Sequence, residues 1–183
     1  MTPHYSYTPS EDFINNLNFE FIETYSLQRG SEYEAWVKEE TKELESFEAR
    51  KSKENNLSKV EITRLDELDK RHNYQQYLID SNGLFHPSAK KIGTFKKGHQ
   101  IVEKLISILN TTIKEIPSWM CGPVYRDVVV FYNAKNEIEA SLNVCFSCEY
   151  METKMFSHIH ADVETYKLLK ELFIEIGHEV ELE

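Results

Sequence analysis

Between residues 10 and 25, Phe13, Ile14, Leu17, Phe21, Ile22 and Tyr25 recur at the three-and-four spacing of a helix. Ser10 stands before them as an N-cap, and Glu11 and Asp12 suit the positive end. The pattern predicts a first helix that Gly30 ends. Ser31 with Glu34, and Ser58 with Glu61, each carry the capping-box spacing. They predict a second helix to about Lys53 and a third ending before Ser81-Asn82-Gly83. The apolar stripes are narrow: Tyr33, Trp36, Val37, Leu44 and Phe47 on one, and Ile62, Leu65, Leu68, His72 and Ile79 on the other. Joined by "KENNL", the two read as a long antiparallel helical hairpin that protrudes or packs along one edge.

Lys90, Lys91, Lys96 and Lys97, with Gly93 and Gly98, read as a mobile solvated linker over 84–99. Ile101, Val102, Leu105, Ile106, Ile108, Leu109 and Ile113 are apolar nearly all round, which predicts a core helix stopped by Pro117. The period then changes to two. Residues 124–132 and 137–146, separated by "NAKN", predict a β-hairpin. After a loop, Val163, Tyr166, Leu169, Leu172, Phe173 and Ile176 outline a C-terminal helix from Asp162, with Gly177 as its C′ residue. The tail "HEVELE" alternates and could add a short strand. The expected fold class is α+β. A helical N-terminal region over 1–83 carries the hairpin. A small antiparallel sheet over 84–183 packs on the core and C-terminal helices.

The chain of 183 residues has a net charge of −10, which repels phosphate backbones and argues against nucleic-acid binding. It favours a basic protein partner through faster encounter. No apolar run reaches the roughly 20 residues of a membrane span. The N-terminus lacks a signal-peptide pattern, so the expected location is cytoplasmic. Three cysteines are too few for a disulfide scaffold, and free thiols in a reducing compartment fit that count.

Cys145, Cys148, His158 and His160 are the residues closest to a chemical motif. If the returning strand runs on through Cys148, the two thiols point to opposite faces and can share neither a metal nor a bond. Should the chain turn sharply at Phe146-Ser147, the four side chains make a reasonable Cys2His2 zinc site, although the histidines are closer together than in zinc fingers. A redox thiol pair would want a helix N-terminus after the first cysteine, and Cys145 ends a strand. Packing is therefore the expected role. Arg126-Asp127 places opposite charges on opposite faces of a strand, and His178 reads as a cation near a helix C-terminus. Glycine-loop, nucleophile-elbow and zincin motifs are missing from the sequence.

Cys121, Pro123, Arg126, Cys145, Phe146 and Cys148 resemble a pattern of small uncharacterised bacterial proteins, a β-hairpin ending in Cys-Phe-x-Cys. The resemblance covers about residues 121–150 and implies a shared hairpin, with no activity attached. The expected function is a non-enzymatic protein-binding module. A bacterial immunity or inhibitor protein is one form of it, with Glu39, Glu40, Glu43 and Glu45 pairing with a basic toxin cleft and no cofactor. The alternative is a zinc- or thiol-dependent protein using Cys145 and Cys148 with His158 and His160.

Overall fold

The computed structural model describes residues 5–54, 57–118 and 120–180. In chain order the elements are β1 (Ser6–Pro9), α1 (Ser10–Asn15), β2 (Phe21–Ser26), α2 (Ser31–Glu54), α3 (Lys59–Asn73), β3 (Lys90–Lys96), α4 (Gln100–Leu109), β4 (Asp127–Tyr132), β5 (Ile138–Cys145), β6 (Tyr150–Lys154), β7 (Ser157–His160) and α5 (Val163–Glu175). All seven strands form one mixed sheet in the order β1-β7-β6-β5-β4-β2-β3. Every pairing is antiparallel except that of β1 with β7.

The expected α+β architecture, a helical N-terminal region followed by a small antiparallel sheet, is overturned by this sheet. Three stretches account for the difference. The apolar positions of 10–25 fit a helix only as far as Asn15; beyond it, Phe21-Ile22-Glu23-Thr24-Tyr25 is β-prone and pairs with both β3 and β4. The lysine-rich 84–99 stretch contains β3 at a sheet edge, where lysines deter further strand pairing. The stretch expected to be a loop after the hairpin holds β6 and β7, each too short for a periodic signal. The expected tail strand is not seen at 178–180, and its remaining residues lie outside those described.

The hairpin of β4 and β5 is present, with Val129 opposite Leu142 and Val128 opposite Asn143. β4 is the best-buried strand: Val128, Val129, Val130 and Phe131 are all essentially inaccessible. Burial of each such side chain contributes roughly 1.5–3 kcal/mol. One face of the sheet meets α1, α4 and α5 through Ile22, Val129, Phe131, Leu142, Val144 and the apolar stripes of those helices. α5 stops at Gly177, whose φ of 96° lets His178 N–H reach the Phe173 carbonyl at 2.9 Å. The other face packs Tyr25, Val128 and Val130 against Leu27 and Leu78.

The chain divides into two units, Met1–Leu27 with Tyr77–Glu183, and Gln28–Gln76. The first holds the sheet. The second holds α2 and α3, which run antiparallel around Leu44, Leu65 and Leu68. Within it, the buried Glu40 carboxylate is met by Arg71 at 2.5 Å and Arg64 at 3.3 Å, and Arg64 also grips Glu43 at 2.8 Å. Ser58 and Glu61 form the reciprocal cap at the start of α3. Among the described residues, no helix is long and apolar enough to cross a membrane.

Candidate functional site

On the face of the sheet opposite α4 and α5, strand register lines up an unusual row. Tyr7 lies across from His158, His158 from Glu152, Glu152 from Asn143, and Asn143 from Val128. Side chains alternate faces along each strand, so directly opposed residues share a face. Glu152 is 1% exposed. The Tyr125 hydroxyl donates to its Oε2 at 2.8 Å, and the Tyr77 hydroxyl donates to the same oxygen. His158 Nδ1 lies 2.9 Å from Oε1, close enough for an ion pair but off the line of a hydrogen bond. Burial, and then the neighbouring Glu152 carboxylate, push the Tyr77 and Tyr125 phenols up, so both remain protonated donors.

Aromatic rings enclose the His158 end of the row. Tyr5 and Tyr7 stack beside the imidazole at 5.6 and 5.1 Å, and Tyr150 meets it edge-on at 5.1 Å. His158 Nε2 is buried without a hydrogen-bond partner among the described residues. An imidazole beside a carboxylate is one part of a general-base arrangement; among the described residues no hydroxyl or thiol is hydrogen-bonded to Nε2. His160 is held below the ordinary histidine range, first by burial and then by His158.

The cysteines adjoin this row. β5 stops at Cys145, which pairs with Tyr150, and residues 146–149 make a tight turn. Glu149 takes φ 47° in that turn, a left-handed conformation that costs a non-glycine residue on the order of 1 kcal/mol. The strand therefore does not run on through Cys148, and the expected separation of the two thiols onto opposite faces is corrected. Cys145 and Cys148 are both buried in one cluster with Tyr125, beside Tyr77 and Tyr150. Cys148 is disulfide-bonded to Cys121, and Cys145 is a free thiol whose Sγ lies 3.4 Å from the Ser147 hydroxyl. The expectation of three free thiols is corrected as well.

Of the proposed zinc ligands, Cys148 is in a disulfide, Cys145 lies against Ser147 and His158 lies against Glu152. Among the described residues, no three histidine, cysteine or acidic side chains are grouped to hold a metal. Of the four carboxylates proposed to meet a partner, Glu40 and Glu43 are engaged by arginines, Glu39 pairs with Lys42 at the surface, and Glu45 is exposed. His178 sits beside Asp127 at 2.7 Å, both buried. This fastens the end of α5 to β4, where sequence suggested only a cation at a helix end. Neither Glu152 nor Tyr77 was singled out by sequence. Tyr77 is 75 residues from its carboxylate partner, and the only local sign was the period-two pair Tyr150 and Glu152.

Comparison with protein-family models, with curated proteins and with solved structures finds no match.

Proposed function

We propose that this chain is a non-enzymatic protein-binding module, and that the irregular segment between α4 and β4 meets the partner. The observation that carries the reading is the way this segment is held. Lys114 and Glu115 donate their backbone N–H groups to Asp162 at 2.7 and 2.9 Å, Cys121 is bonded to Cys148, and Tyr125 is tied to Glu152. Between those anchors Ile116, Met120 and Val124 face solvent, and Met120 is fully exposed. A fixed loop that displays apolar side chains binds at low entropic cost. Charge supports a partner with a basic rim. Residues 28–76 carry 12 acidic and 10 basic side chains, a net of −2, so −8 of the −10 belongs to the sheet unit. A bacterial immunity or inhibitor protein that neutralises a toxin is the form of binding this suits.

The test is capture from native lysate with the wild-type chain and with Met120→Glu. A stoichiometric partner that the wild type retains and the variant loses, at least tenfold, supports the reading. Recovery of no such partner, or equal capture by the variant, sinks it.

A second reading, a thiol-dependent protein, is favoured by one observation: the free Cys145 and the disulfide-bonded Cys148 share one buried cluster with Tyr125. It bears on location. In the cytoplasm a disulfide is typically transient or redox-sensing, whereas in an oxidising compartment it is structural. Alkylation trapping of the thiols in intact cells separates the two.

A further inference from the structure

The two cysteines of the disulfide differ in access. Cys121 is exposed, while Cys148 is 6% exposed and the unpaired Cys145 only 2%. Cys145 is the last residue of β5, so a two-residue step through Phe146 and Ser147 brings the chain to Cys148. Both side chains enter the same cluster against Tyr125, and the Cys145 sulfur is turned toward the 146–149 turn, where Ser147 meets it. A free, buried thiol thus shares one apolar cluster with the shielded half of a disulfide. Burial alone explains an apolar cysteine. It does not explain a third thiol in the same cluster as the buried half of an existing bond.

We propose that Cys145 is the internal nucleophile for the Cys121–Cys148 bond, which makes Cys121 a covalent attachment site for disulfide-bearing molecules. The inference rests on the thiol-dependent reading. In the first step the Cys145 sulfur forms a bond to Cys148 Sγ, and its proton passes to solvent and ends on the R–S⁻ released in the second step. The Cys148–Cys121 bond breaks, and its electron pair leaves on Cys121 Sγ. One disulfide is exchanged for another, with no net oxidation. In the second step the exposed Cys121 thiolate attacks a disulfide R–S–S–R. It becomes Cys121–S–S–R, and R–S⁻ departs. Access favours this order. Cys145 is shielded from outside disulfides, Cys148 is reached from within, and the sulfur released is the accessible one.

The full chain is incubated with oxidised glutathione, quenched in acid, alkylated and digested with trypsin. Cys145 and Cys148 fall on one tryptic peptide and Cys121 on another, so mass spectrometry reads each linkage separately. The wild type is expected to give glutathionylated Cys121 together with a Cys145–Cys148 bond inside one peptide. Cys145→Ser and Cys145→Ala, each checked for native circular dichroism, are expected to give at least tenfold less adduct at Cys121. Equal labelling in those variants, or a wild type that reacts with reduced glutathione at Cys121 but never forms the Cys145–Cys148 bond, overturns the internal exchange. A Cys121–Cys148 bond inert to both oxidised and reduced glutathione overturns the thiol-dependent reading as well.

Discussion

At the scale of single residues, Glu152 joins three separate stretches of the sheet unit. Its two oxygens hold Tyr125 from the approach to β4, Tyr77 from the returning chain and His158 from β7. A buried carboxylate that loses its partners is costly, and so is the converse, because the two phenols are then left without an acceptor and the imidazole without its neighbouring charge. Glu152→Ala should therefore destabilise the protein by about 3–5 kcal/mol. Glu152→Gln, which keeps an acceptor oxygen, should cost less. Urea unfolding of both variants checks the ranking, and an alanine variant within 1 kcal/mol of wild type would contradict it. This residue was not legible in the sequence. A glutamate between Met151 and Thr153 looks like any half-exposed strand position until the register of three strands is known.

Elements were legible in proportion to their length and regularity. α4, α5 and the β4–β5 hairpin carry long unbroken patterns and were read from them. β3 was masked by its lysines, β6 and β7 by their brevity, and β2 by apolar spacing that fits either period. One connection between elements is testable by pH. Asp162 caps α5 through Glu164 N–H at 3.0 Å and holds the segment after α4 through Lys114 and Glu115. The Glu115 N–H, followed by those of Lys114 and Glu164, holds its carboxyl below the ordinary aspartate range. A lowered folded value means that the stabilisation is fully present above the unfolded value of about 3.9. It is lost as pH falls through the folded value. Asp162→Asn should thus unfold more easily than wild type at neutral pH, and the difference should shrink below about pH 3.9. A gap that stays constant down to pH 2 would exclude the ionised cap.

At the scale of the whole molecule, the sequence marks the helical pair clearly but conceals that it interrupts a sheet. Leu27 and Leu78 belong to the same apolar cluster, so the chain leaves the sheet unit and returns to it at neighbouring points. The sheet unit keeps its own core, and α2 and α3 have theirs in Leu44, Leu65 and Leu68. Replacing residues 29–75 with a short glycine–serine linker should leave a protein that still unfolds in one cooperative transition, with reduced far-ultraviolet helicity. Loss of the transition would show that the insertion is needed for the sheet to fold.

The pairing of β1 with β7 has a temporal consequence. Ser6 finds its partner at Ser157, so β1, once synthesised, must wait without that partner until β7 follows. At a synthesis rate of about 5–20 residues per second, that interval lasts roughly 8–30 s. Throughout it Tyr5 and Tyr7 lack the His158 imidazole they stack on, and the nascent chain carries a strand position that only β7 fills.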